Sequence, residues 1–247
     1  MGRRGGFYKM LLYKTPIIFF FLSVGLFLCG LWFLNTSKNK KVHQSKAGFL
    51  ISYTYFFFSL LNITIAAGVL IHNIYYPFDL FWLLFIHNFI LVLLSLMSIY
   101  TVYYIFFPKK NVFPLVICSS LGVILMIETI IFRPIPFINH LGNIDWNLNL
   151  FLSINVFYLL LISIGSFFYI FWRLLSLSKE KYLKRVYSFN CGIAAFGILG
   201  VFIRFITPHF EKNSIILIIA DSIVALIGIV LIILLFAIPL ISNLRNK

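Results

Sequence analysis

Three ionisable residues stand inside long apolar runs of the chain, where a charge is costly. They are Glu128, Arg204 and Asp221, and His87 stands in a fourth run. A charged side chain at the centre of a bilayer costs about 2.5–3.5 kcal/mol on insertion scales, so such residues face a protein interior, pair, and mark ligand or ion sites. His87 could bind a ligand, relay a proton or simply pack in a helix. These four residues are the ligand-binding candidates of the sequence.

The composition places these residues in a membrane. Of 247 residues, 62% are hydrophobic and 11% charged, whereas a soluble domain carries roughly a quarter charged residues. Seven apolar runs are long enough to cross a hydrocarbon layer of about 30 Å, and each must be helical because a spanning backbone satisfies its own hydrogen bonds. The runs cover residues 16–34, 48–71, 80–107, 112–132, 150–174, 186–206 and 214–241.

The predicted fold is therefore an all-α integral membrane bundle of seven transmembrane helices. The bundle occupies residues 16–243, after a basic N-terminal tail at residues 1–15 and before a short C-terminal tail at residues 244–247. The cysteines fall inside apolar runs without a CxxC spacing, so we interpret them as packing residues. They are Cys29, Cys118 and Cys191. Aromatic residues near the ends of the runs are assigned to the aromatic belts of the bilayer interface. They include Trp82, Trp146 and Trp172.

The four candidate residues lie at one end of the predicted bundle. Successive spanning helices alternate in direction, so position along a run converts to depth in the membrane. Glu128 and Arg204 then lie near the ends of helices four and six, while Asp221 and His87 lie about two turns into helices seven and three. Two interpretations stay open. The residues line a polar pocket for a small ligand or ion, or Arg204 pairs with Asp221 or Glu128 and locks the helices together.

Basic residues predict the orientation of the chain in the cell membrane. The loops after helices one, three and five, together with the C-terminal tail, hold thirteen of the twenty lysines and arginines. Because cytoplasmic loops are enriched in these residues, we expect a cytoplasmic C-terminus and a non-cytoplasmic N-terminus. The candidate pocket then faces outward. The four basic residues of the N-terminal tail equal the four after helix one, which leaves the N-terminal tail ambiguous.

The net charge of +14 does not indicate nucleic-acid binding. The lysines stand outside the apolar runs, as expected for anchoring beside anionic lipid headgroups. No polar domain combines aromatic and basic residues in the way that nucleic-acid-binding domains do. The partners predicted from the sequence are the lipid bilayer, a small-molecule or ion ligand, and a cytoplasmic signalling partner.

Several membrane chemistries are disfavoured by the residues present. Retinal needs a lysine inside the last helix, and no apolar run contains one, so no retinal and no other cofactor is predicted. Seven-helix zinc hydrolases carry a His-xxx-His pair in the last helix, and residues 214–241 contain no histidine. A metal site without recognisable spacing stays open. Its candidate ligands are His72, His87 and His209.

The layout resembles the N-terminal seven-helix sensor region of prokaryotic histidine kinases. The shared features are short-looped helices, the basic stretch 179–185 that enters helix six, and the connection 133–149 on the other side. The resemblance covers residues 48–243 as architecture, without a diagnostic motif, so no catalytic residue is carried over. It implies that signal output passes through a partner, because no kinase domain precedes the end at Lys247. The basic patch that would face this partner consists of Lys179, Lys181, Lys184 and Arg185.

The leading hypothesis is a receptor- or sensor-like module for signal transduction. A ligand would enter from the non-cytoplasmic face, contact the four candidates and shift helices six and seven against the rest. The alternatives are a membrane-embedded metal-dependent hydrolase and a small transporter or channel. A purely structural bundle is the remaining interpretation.

Overall fold

The computed structural model describes residues 14–38, 42–74, 80–107, 112–138, 144–205, 229–230 and 233. Within these ranges the chain forms six long helices and one pair of two-residue strands. The helices are α1 Lys14–Ser37, α2 Val42–Ile74, α3 Leu80–Phe106, α4 Phe113–Phe132, α5 Leu150–Leu177 and α6 Lys181–Phe205. The strands are β1 Phe137–Ile138 and β2 Ile144–Asp145.

All six helices are long and apolar enough to cross a membrane. They coincide with the first six predicted runs, and their length and composition are those of a multi-pass membrane protein. The described residues contain six spanning helices and not the predicted seven. The seventh run, residues 214–241, lies outside the described part except for residues 229, 230 and 233, which are helical.

The connection between α4 and α5 departs from the all-α prediction. Its two short strands pair antiparallel, with Phe137 opposite Asp145 and Ile138 opposite Ile144. The hairpin follows directly from the end of α4, where Arg133 adopts a left-handed conformation with φ 38° and its backbone N–H donates to Thr129 O. That conformation ends the helix.

Helix α3 lies at the centre of the described bundle. It packs against α2, α4 and α5, while α1 packs on α2 and α6 packs on α5. Buried hydroxyls help to hold these contacts, since Ser95 Oγ of α3 lies 2.8 Å from Ser163 Oγ of α5. On the other side of the bundle, Ser23 Oγ of α1 lies 2.9 Å from Ser59 Oγ of α2. Small polar residues of this kind join helices in lipid, where the hydrophobic effect does not.

The small residue Gly68 marks a close approach between α2 and α3. A Cβ atom at Gly68 would lie 2.1 Å from Leu83 Cδ2, well inside van der Waals contact. The cysteines also pack as predicted. Cys29 and Cys118 are buried, Cys191 is half-buried, and all three are free thiols.

The described helices bury two apolar cores, one toward each end. We call the end that holds the α1–α2 and α5–α6 junctions the basic end, because Lys38, Lys46 and the basic patch lie there. We call the other end the connection end, after the segment 133–149. The core at the connection end includes Leu84, Leu125 and Leu152, and the core at the basic end is built around Tyr55.

Candidate functional site

Glu128 lies at the connection end, one turn before the end of α4. Its side chain is half-buried against α5, and Asn155 Nδ2 donates a hydrogen bond of 2.8 Å to Glu128 Oε2. Asn155 is held near this depth because Asn149 caps the N-terminus of α5, accepting a hydrogen bond of 2.8 Å from Leu152 N. An amide donor from α5 thus stabilises an acid of α4 close to the membrane boundary.

Asn88 joins α3 to α4 directly beside this acid. Its side chain is fully buried, and Asn88 Nδ2 donates a hydrogen bond of 2.9 Å to Thr129 Oγ1. The Thr129 hydroxyl donates its own proton to Leu125 O at 2.7 Å. Thr129 can therefore only accept from Asn88, which fixes the amide group of Asn88 with its nitrogen toward Thr129.

The other polar atom of this amide is left as an acceptor. Within the described part of the chain, Asn88 Oδ1 is buried and has no hydrogen-bond partner. A buried acceptor without a donor costs about 1–3 kcal/mol, so its presence needs an explanation. A ligand that carries hydrogen-bond donors would remove this cost.

His87 packs beside Asn88 on the same side of the bundle. Its side chain is 4% exposed, and its ring stacks on Trp146 with the centroids 5.1 Å apart and the planes 26° apart. Trp146 comes from the connection, immediately after β2. The indole therefore closes the connection end over the histidine.

The prediction that Trp146 lies in an aromatic belt is wrong. Trp146 is only 6% exposed, whereas Trp82 and Trp172 are each 55% exposed. The β1–β2 pair turns the connection inward and places the indole in the core, while the other two tryptophans face outward from helices. Hydropathy predicts the depth of Trp146 but does not predict this turn.

We refer to these residues as the polar cluster, comprising His87, Asn88, Glu128, Thr129 and Asn155. The structure brings Glu128 and His87 to the same end of the bundle. Arg204 is in the last turn of α6, at the same end, but its side chain lies outside the described residues, as does all of Asp221. The expected ion pair of Arg204 with Glu128 or Asp221 therefore falls outside the described part.

The cluster contains three uncharged residues that are not among the candidates predicted from the sequence. Asn88, Thr129 and Asn155 stand in apolar runs, and the amides among them are the signal that could have revealed them. A neutral amide in lipid also needs hydrogen-bond partners from the protein, because it cannot bond to water there.

The described residues do not assemble a metal site. No group of three or more histidine, cysteine, aspartate or glutamate side chains comes together among them. Of the predicted candidates, His87 stacks on Trp146, the side chain of His72 lies outside the described residues, and so does His209.

The predicted basic patch lies at the opposite end of the molecule. Lys179, Lys181, Lys184 and Arg185 are all exposed around the short turn between α5 and α6. The backbone N–H of Lys184 donates to Glu180 O at 3.0 Å, which places Lys181, Lys184 and Arg185 at the start of α6, and Lys179 lies in the turn before it. The turn and the helix start together present four cations beyond the apolar part of the helix.

No family model, curated protein or solved structure matches the chain. The class of the protein therefore follows from its fold and its site alone. The chain is a helical, multi-pass membrane protein that carries buried amides and an acid at one end and a basic patch at the other.

Proposed function

We propose that the protein is a sensor-like membrane module whose polar cluster binds a small, donor-rich cation such as an ammonium ion. The observation that carries this proposal is Asn88 Oδ1, which is buried and has no hydrogen-bond partner in the described part of the chain. The amide nitrogen of Asn88 bonds to Thr129, and the preceding residue, Glu128, accepts from Asn155. Glu128 and Asn88 Oδ1 both offer hydrogen-bond acceptors, and the Glu128 carboxylate also carries a formal negative charge. The complementary ligand carries positive charge and N–H donors.

The route of the signal in this proposal is α5. Asn155 touches the acid at the connection end, and the same helix ends beside the basic patch at the other. A ligand that withdraws Glu128 from Asn155 changes the packing of α5 against α4. The exposed cations of the α5–α6 turn then report the change to an acidic surface of a cytoplasmic partner. The likeness to seven-helix sensor regions supports the same direction of signalling.

The proposal includes a seventh crossing by residues 214–241, which puts the two termini on opposite sides of the membrane. In a cysteine-free background, Ser178→Cys and Ser242→Cys are expected to react with a membrane-impermeant maleimide from the same side of sealed vesicles. Asn143→Cys serves as the control and should react from the other side. Labelling of Ser242→Cys together with Asn143→Cys would show an even number of crossings and refute this part.

Binding can be measured through Trp146, which stacks on His87. In a variant with Trp32, Trp82 and Trp172 replaced by phenylalanine, methylammonium is expected to change the fluorescence of Trp146. Glu128→Gln should weaken this binding by about tenfold or more, because a charge-assisted hydrogen bond contributes about 1.5–3 kcal/mol. The matched control Glu180→Gln removes a carboxylate at the basic end and should leave the affinity unchanged.

Asn88→Leu separates binding from structure, because leucine has the same branched shape as asparagine. If Asn88 Oδ1 serves a ligand, this variant loses the methylammonium response but keeps its stability to within about 1 kcal/mol, because removal of the unpaired acceptor offsets loss of the bond to Thr129. Thermal unfolding in detergent measures the second effect. The proposal is wrong if the wild-type protein does not respond to methylammonium, or if Na⁺ or K⁺, which carry no hydrogen-bond donors, give an equal response. It is also wrong if Asn88→Leu keeps the response.

A further inference from the structure

A second candidate site lies at the basic end, about the length of a spanning helix away from the polar cluster. The described residues there enclose a half-open cavity of about 710 Å³. It is bounded by the end of α1, the start of α2 and the α5–α6 turn. This volume falls within the range of about 300–1,000 Å³ that is typical of small-molecule sites.

Four aromatic side chains line the cavity. Trp32 and Phe33 come from α1, and Tyr182 and Tyr187 come from α6. Rings arranged around one space bind ammonium groups through their negative faces. The same end already contains one such contact, since Lys46 Nζ lies 4.7 Å from the centre of the Tyr104 ring.

The charge of the lining is opposite to the charge of its surroundings. Among the described residues that line the cavity, Glu180 is the carboxylic acid, and none is a lysine or arginine. The neighbouring Lys179 and Lys181 are exposed and are not among the lining residues. The interior therefore favours a cation although the whole end is strongly basic.

Apolar side chains form another part of the lining. Ile51, Ile105 and Leu174 come from three different helices, and the hydroxyl-bearing Thr36 and Ser37 line the cavity as well. The chain of a membrane amphiphile can pack against these side chains and gain van der Waals contacts, although it gains no hydrophobic transfer energy because it is already out of water. A freely soluble small cation would leave this surface uncovered.

We propose that this cavity binds the ammonium headgroup of a membrane amphiphile, with the ammonium between Glu180 and the aromatic rings and the chain against the apolar side chains. The shared chemistry is an ammonium group on a hydrocarbon chain, as carried by phosphatidylethanolamine or by a simple alkylamine. This site uses none of the residues of the polar cluster, so it does not depend on the proposed ligand there.

Lipid selectivity provides a sharp test, because the basic surface alone predicts the opposite result. Exposed lysines and arginines attract anionic headgroups. If the cavity did not bind an ammonium group, phosphatidylglycerol would therefore lie beside α1 and α6 more often than phosphatidylethanolamine. The proposed site predicts the reverse order at Trp32.

The experiment uses the full chain with Trp82, Trp146 and Trp172 replaced by phenylalanine, so that Trp32 is the fluorophore. The protein is reconstituted in vesicles that contain either brominated phosphatidylethanolamine or brominated phosphatidylglycerol with identical chains. We expect brominated phosphatidylethanolamine to quench Trp32 with about fivefold higher apparent affinity, a modest factor because Glu180 is exposed. Glu180→Gln should abolish the preference, while the control Asp145→Asn should keep it.

Two further arms identify the source of the ammonium group. Dodecylamine should displace the quenching lipid, whereas methylammonium at the same concentration should not, because it lacks the chain. Displacement by methylammonium alone would assign the site to a soluble cation and refute the amphiphile. Equal or stronger quenching by phosphatidylglycerol, or an unchanged preference in Glu180→Gln, would refute the cavity as an ammonium site.

Discussion

Replacement of Trp146 by alanine is expected to lower the free energy of unfolding by about 3–5 kcal/mol, the range for removing a buried tryptophan. Trp146 is 6% exposed and stacks on His87. It also belongs to the apolar core that joins α3, α4 and α5 at the connection end. Because Trp146 lies in a connection and not in a spanning helix, unfolding exposes it to water, and the full hydrophobic term applies.

The matched control for this prediction is Trp82→Ala. Trp82 is 55% exposed on α3, so its removal opens no cavity and should change the stability by less than about 0.5 kcal/mol. Equilibrium unfolding of the purified protein in mixed micelles compares the two variants. Equal stability of Trp146→Ala and Trp82→Ala would show that the connection does not contribute to the core.

Replacement of Trp146 should also loosen the packing of the polar cluster. His87 loses its stacking partner, and the connection that closes the end of the bundle loosens. In the Trp146→Ala variant, amides of residues near Thr129 and Asn155 are then expected to exchange hydrogen faster than those around Tyr55. Such a gradient would locate the damage at the connection end.

The positions of the helices could be predicted from the sequence because lipid imposes helical structure on any long apolar run. Helix α3 spans Leu80–Phe106 where the run covers 80–107, and α4 spans Phe113–Phe132 where the run covers 112–132. The starts of α2 and α6 lie further out, at Val42 and Lys181. Polar residues extend these helices beyond the bilayer, and hydropathy does not detect that extension.

The contacts of the site could not be predicted, because they depend on how each helix is rotated about its axis. The spanning helices are apolar on all sides, so no stripe reveals the buried face. Phe89 of α3 is half exposed, for example, whereas Leu91 and Leu94 are fully buried. The depth of Glu128 and His87 along their helices correctly predicts that they lie at the same end of the bundle. The bond of Glu128 to Asn155 depends on helix rotation, and the stacking of His87 on Trp146 depends also on the turn in the connection.

The core at the basic end gives the second large effect, which centres on Tyr55. This residue is fully buried on α2, and its hydroxyl donates a hydrogen bond to Asn190 Oδ1 on α6. Its ring lies 5.5 Å from Phe33 in a stacked arrangement and 4.7 Å from Phe167 edge to face. One side chain therefore links four helices, α1, α2, α5 and α6.

Tyr55→Ala is expected to cost about 3 kcal/mol, at the low end for a buried aromatic, because the separated helices stay in lipid and regain some contacts there. The control on the same helix is Tyr53→Ala. Tyr53 is 49% exposed, so its truncation should cost less than about 0.5 kcal/mol. Unfolding in mixed micelles measures both variants under one condition.

Tyr55→Phe isolates the hydrogen bond from the ring. The variant leaves Asn190 Oδ1 buried without its donor, which should cost about 1 kcal/mol in lipid. Asn190→Leu removes the acceptor, and the double variant Tyr55→Phe/Asn190→Leu should recover most of the loss because neither polar group then remains. If the double variant loses as much free energy of unfolding as the two single variants together, the bond between α2 and α6 contributes nothing to stability. The aromatic contacts of Tyr55 would then account for its whole effect, and the basic end would be held by ring packing alone.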